Sequence, residues 1–144
     1  MSKSHLRYVV NNYIGYDIGK ITKIEINNRG SGGIVSNITV YGKNKQISIS
    51  NQINIRKALN PYGLGIKLND GDIRSNMSML PSSFFSIENI YRNGKWWGIK
   101  IYGGGFGHGC GMSQNGCREL ANLGYSYEDI IKFFYKKTAI AVSR

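Results

Sequence analysis

The chain has 144 residues, is 41% hydrophobic and carries 19 basic against 8 acidic side chains, a formal charge of +11 at pH 7. That supports one modest core in one domain of ordinary size, and no apolar run is long enough for a signal peptide or a membrane span. The charge calls for an acidic partner, but the lysines fall singly and in pairs, without an Arg-rich arm or an aromatic RNA-binding signature, which argues against nucleic acid.

The first elements are weakly marked. Residues 1–18 are expected to be poorly ordered. Thr22, Ile24 and Ile26 alternate with Lys23 and Glu25, the pattern of a half-buried strand. Ile34 to Tyr41 and Gln46 to Ile49 flank Gly42-Lys43-Asn44-Lys45, which reads as a hairpin. Asn54 to Leu59 forms a short helix that must stop before Pro61. Gly63 to Asn76 is polar and glycine-containing, and reads as a loop.

The second half is more explicit. Phe84 to Ile90 and Lys95 to Tyr102 flank Tyr91-Arg92-Asn93-Gly94, and Asn-Gly is a strong hairpin turn. Alternation puts Trp97, Ile99 and Ile101 on one face of the later strand. Two helices close the chain. The first has Ser113 as N-cap and Gly124 at its end, with Cys117, Leu120 and Ala121 at helical spacing. The second has Ser126 as cap, Glu128 and Asp129 in its positive first turn, and Lys132, Lys136 and Lys137 towards its C-terminal end. The expected fold is α+β: mainly antiparallel β-sheet, a glycine-rich loop and two C-terminal helices.

Between strand and helices lies Gly103-Gly104-Gly105-Phe106-Gly107-His108-Gly109-Cys110-Gly111-Met112-Ser113-Gln114. Glycine at this density is poor core material, and makes sense where backbone turns at positive φ or closely approaches something else. No Gly-Lys-Ser/Thr follows for a phosphate loop, and no parallel strand follows the helix. Ser113 lies five residues after His108, but without a nucleophile elbow. Cys110 and Cys117 have three open readings: packing as small apolar groups, a metal site with His108, or a disulfide.

The run Phe106-Gly107-His108-Gly109-Cys110-Gly111-Met112-Ser113-Gln114-Asn115-Gly116 resembles the Gly-aromatic-Gly-His-Gly-Val-Gly-Met-Ser-Gln-Trp-Gly-Ala signature of the stage II sporulation protein D family, which takes in peptidoglycan lytic transglycosylases and amidase enhancers. The similarity continues through Glu119 to Ile131 and Phe134-Tyr135, and upstream through Leu80-Pro81-Ser82-Ser83-Phe84-Phe85 and Arg29 to Val40. It covers about residues 20–140. Cys110, Cys117 and Asn115 replace the usual valine, alanine and tryptophan.

The resemblance implies several expectations. Residues 1–144 correspond to a single partial domain, the C-terminal half of the family's domain, because the segment that carries the family's catalytic glutamate has no counterpart around Glu25, Glu88, Glu119 or Glu128. The catalytic residue is therefore unassigned, and the chain alone is expected to be inactive. The implied substrate is peptidoglycan, cleaved by the family between N-acetylmuramic acid and N-acetylglucosamine. His108 would hydrogen-bond sugar hydroxyls and Gln114 an acetamido carbonyl. Tyr102 and Phe106 would stack on pyranose faces, while Gly105, Gly107 and Gly109 let the sugar approach the backbone. A non-catalytic amidase-enhancer or wall-binding module is the alternative. Neither reading requires a metal or cofactor, and both imply an extracytoplasmic location with other wall hydrolases or the family's N-terminal half as partners.

Overall fold

A computed structural model describes residues 1–141, which fall into two compact units divided between His108 and Gly109. The first unit begins with helix α1 (Lys3–Ile14), followed by strands β1 (Ile21–Arg29), β2 (Val35–Gly42) and β3 (Gln46–Ser50). Helix α2 (Gln52–Ala58), the two-residue strands β4 (Ile66–Lys67) and β5 (Ile73–Arg74), and the long strands β6 (Phe85–Arg92) and β7 (Lys95–Gly103) complete it. The second unit holds α3 (Gln114–Asn122) and α4 (Tyr127–Phe134). The strands pair antiparallel in three sheets, β1-β2-β3, β4-β5 and β6-β7, so the fold is α+β as expected.

The chain start departs from expectation. Residues 3–14 are helical because Ser2 accepts a hydrogen bond from the His5 N–H and Gly15 closes the helix at φ 83°. Leu6, Val9 and Val10 fall on one face and are buried. Burying three such side chains offers about 5 kcal/mol of transfer free energy, enough to offset much of the entropy of ordering a short helix.

One core serves the first unit. It joins α1 to Ile21 and Ile24 of β1, Val35, Ile38 and Val40 of β2, Ile55 and Ala58 of α2, and Phe85 and Ile99 of the β6-β7 pair. The β2-β3 hairpin and the short α2 lie where the sequence puts them. The segment expected to be a loop carries the β4-β5 ladder, of only two paired positions. The β6-β7 turn has Asn93 and Gly94 at φ 50° and 71°, the two positive values that a tight two-residue hairpin needs.

A register shift between Ile90 and Tyr91 makes Trp97 the unpaired residue of a bulge. The alternation expected from the sequence breaks there. Trp96 packs against the core with Ile101, its indole N–H donating to Asn89 Oδ1 at 2.9 Å. Trp97 instead lies under the Arg92 guanidinium, 3.8 Å from the ring centroid.

In the second unit both predicted caps are in place: Ser113 Oγ accepts from the Gly116 N–H and Ser126 Oγ from the Asp129 N–H. Gly124 follows α3 at φ 87°. α3 and α4 meet closely at Gly116, where an added Cβ would lie 3.0 Å from the Phe134 ring. Phe133 and Phe134 meet edge to face at 5.1 Å. No described residue of this unit is fully buried.

Candidate functional site

The candidate site begins with the segment Leu80–Phe85, which two arginines hold by its carbonyl groups. Arg56 of α2 donates from Nε to Leu80 O at 2.8 Å. Its guanidinium is partly desolvated, which lowers its pKa. Arg29 at the end of β1 donates from Nη2 to Phe85 O at 2.8 Å and from Nη1 to Gly33 O at 2.9 Å. Between them the Val35 N–H donates to Ser83 O at 2.9 Å. Leu80, Ser82, Ser83 and Phe85 are buried in consequence.

That segment in turn holds the glycine loop. Gly104 N–H donates to Phe84 O at 3.0 Å, and Gly107 N–H donates to Pro81 O at 2.9 Å. The close approach explains one glycine: a Cβ at Gly103 would sit 2.7 Å from Phe84 O, a backbone atom that cannot move aside cheaply. The loop then turns at Gly105 and Gly107, with φ 78° and 125°. Side chains at those angles are strained, so the sequence must supply glycine.

The loop presents exposed groups. Phe106 is 75% exposed, Tyr102 47% and Phe84 49%, high values for aromatic side chains that a core would otherwise absorb. His108 is exposed as well. Tyr102 donates its hydroxyl to Glu88 Oε2 at 2.7 Å across the β6-β7 pair. Lys100 lies over the Tyr102 ring at 4.5 Å, and hydrogen bonding to the Tyr102 hydroxyl holds its pKa above the ordinary value. Phe84 is positioned by glycine too: a Cβ at Gly33 would lie 2.8 Å from its ring.

Of the residues singled out from sequence, Tyr102, Gly105, Phe106, Gly107 and His108 belong to the first unit and Gly109 and Gln114 to the second. Gly109 has φ 67°, and Gln114 is the exposed first residue of α3. Of the three readings open for the cysteines, packing as a small buried group does not hold for Cys110, which is exposed, while Cys117 is half-buried. Phe84, Arg29 and Arg56 were missed as parts of the site. Arg29 and Phe84 lie in segments that carry the family resemblance, which was the available signal. Arg56, on a short helix, reads like any solvated cation.

None of the four glutamates is buried. Glu25 is tied to Lys23 and accepts from the Tyr41 hydroxyl, so its pKa is lowered, opposite to what a general acid needs. Among the described residues no helix is long and apolar enough to cross a membrane.

Residues 62–111, which include the whole loop through Gly111, match a family model described as a domain of unknown function (DUF8618). The chain is 36% identical over 77 residues to stage II sporulation protein D of Bacillus subtilis (strain 168), a match covering 54% of this chain and 21% of that protein. It is 34% identical over 109 residues to an uncharacterized protein of Brachyspira hyodysenteriae (strain ATCC 49526 / WA1), covering 70% and 27%. It is 50% identical over 40 residues to the amidase enhancer of Bacillus subtilis (strain 168), covering 28% and 6%. The chain therefore spans only about a quarter or less of each of these relatives, and no solved structure matches. The resemblance to the sporulation protein D and amidase-enhancer group is shown over about half the chain.

Proposed function

We propose that this chain takes part in sporulation-related remodelling of the bacterial cell envelope and that it binds peptidoglycan glycan strands through the glycine loop. The observation that carries the reading is the loop itself: glycines fixed at positive φ, hydrogen-bonded to a buried segment, with Tyr102, Phe106 and His108 exposed beside them. Exposed rings offer apolar faces to pyranose C–H groups, and an imidazole can donate to or accept from hydroxyls. Gly109 and Gln114, which the family resemblance adds as glycan contacts, belong to the second unit and are proposed on that resemblance alone. The resemblance to relatives named for sporulation and for amidase enhancement supports a role in the cell envelope.

In this reading residues 1–144 act as one partial domain, the glycan-binding part of a lytic transglycosylase that is inactive alone. That none of the four glutamates is buried supports this, since a general acid for glycoside cleavage must be partly desolvated to stay protonated near neutral pH. The second reading, a non-catalytic module that serves a wall amidase, draws on the 50% identity to the amidase enhancer. Location outside the cytoplasmic membrane belongs to both.

Sedimentation with purified sacculi tests the proposal. The protein should pellet with them, and His108→Ala should pellet less while keeping the wild-type unfolding midpoint. Increasing salt should weaken the binding, because a +11 chain on an anionic wall is screened beyond about 8 Å at physiological ionic strength. No anhydro-muropeptides should appear in the supernatant. Equal pelleting of wild type and His108→Ala would remove the histidine from the site, and sugar release by the purified chain would end the inactive-module reading.

A further inference from the structure

Two clefts of the first unit share no residue with the glycine loop. Both are lined in part by α1. One, of about 460 Å³, is lined by Lys3, Arg7, Tyr8, Asn12 and Lys20 among others. The other, of about 350 Å³, is lined by Tyr8, Asn12, Lys57, Asn60 and Tyr62 among others. Tyr8 and Asn12 belong to both, so the two clefts adjoin at these side chains and together form the α1 groove considered as one surface, beside a helix roughly 18 Å long.

The groove has the makings of a sugar site. Tyr8 and Tyr62 are 51% and 61% exposed, yet their rings sit 5.7 Å apart at 38°, an aromatic platform on the surface rather than a core pair. Amides stand beside it, and an amide can both donate to and accept from sugar hydroxyls. Asn60 Oδ1 is buried without a donor among the described residues, an acceptor the fold leaves unsatisfied at a usual cost. Lysines lie on both sides, whereas Arg7 is already engaged by the Asp17 carboxylate. A groove with aromatic faces, amides and a few well-separated cations fits a sugar polymer with an occasional carboxylate better than a polynucleotide with a phosphate at every unit.

We infer that the α1 groove is a second binding site, for a carboxylate-bearing polysaccharide, with Tyr8 and Tyr62 as the stacking platform and Lys3, Lys20 and Lys57 as the carboxylate partners. The inference rests on the glycan reading of the chain but not on the glycine loop. Two linear tetrasaccharides test it by calorimetry: a hyaluronan tetramer, which carries carboxylates, and an uncharged N-acetylglucosamine tetramer. The hyaluronan tetramer should bind about fivefold more tightly to the wild type. The double variant Tyr8→Ala/Tyr62→Ala should weaken both by about tenfold. The variant Lys3→Ala/Lys20→Ala/Lys57→Ala should erase the difference between them. His108→Ala should bind both as the wild type does. Tetrasaccharide binding that ignores the tyrosines overturns the inference, as does the absence of binding to either tetramer. Tighter, tyrosine-dependent binding of a single-stranded oligothymidine also overturns it, in favour of nucleic acid. Loss of sacculus binding in His108→Ala with no groove effect would leave the loop reading standing and this one fallen; the reverse pattern would do the opposite.

Discussion

Asp17 shows how much of this molecule is set by single polar residues. Its carboxylate accepts from Arg7, from the Gly19 N–H at 2.8 Å and from Asn11 Nδ2 at 2.6 Å, closing the turn between α1 and β1. These donors hold its pKa well below the ordinary aspartate range, with Arg7 the largest contributor. A depressed carboxylate pKa means that the folded state binds fewer protons than the unfolded one. The stabilisation is therefore complete above the unfolded value of about 3.9 and drains away as pH falls towards the lower folded value. Urea unfolding midpoints should fall on acidification below about pH 4, and Asp17→Asn should flatten part of that acid limb. Glu25, also depressed by Lys23 and Tyr41, should keep the rest. An unaltered acid limb in Asp17→Asn would mean that the contact is not formed in solution. Legibility at this scale was uneven. His108 and the loop aromatics announced themselves by lying among glycines. Arg29 and Arg56 did not, because their partners are backbone carbonyls far along the chain, and sequence spacing carries no trace of those.

Among the elements, α1 was legible and went unread. Leu6, Val9, Val10 and Tyr13 recur at helical spacing, Ser2 caps the start and Gly15 the end. The opposite case is β7, where period-two alternation is correct from Ile99 to Ile101 and fails at the bulge. A bulge inserts one residue against a partner strand, and only the pairing reveals it. The two adjacent tryptophans test that register. Trp96→Ala should cost about 2–3 kcal/mol through lost packing against the core. Trp97→Ala should cost less, about 1 kcal/mol, because the half-buried Trp97 ring lies against Arg92 and outside the core. A reversal of the two costs in chemical denaturation would mean that the bulge lies elsewhere. Hairpins with Asn-Gly or a glycine-lysine turn, and the two C-terminal helices opened by serine, were read correctly, since each depends on chemistry within a few residues.

For the whole molecule, the sheet-and-helix content followed from local patterns, while the layout of the core around α1 and the suspension of the glycine loop from Leu80–Phe85 did not. Those are long-range facts: Gly104 and Gly107 reach back to Phe84 and Pro81, and a single sequence shows only that glycine is plentiful there. The central claim is that this suspended loop receives glycan strands. Backbone amide shifts of the 144-residue protein, recorded with and without strands released from purified sacculi, test it most directly. The account predicts saturable shifts concentrated in Tyr102 to His108 and in the supporting Ser82 to Phe85. Strands that saturate the protein while leaving those amides unmoved would contradict it.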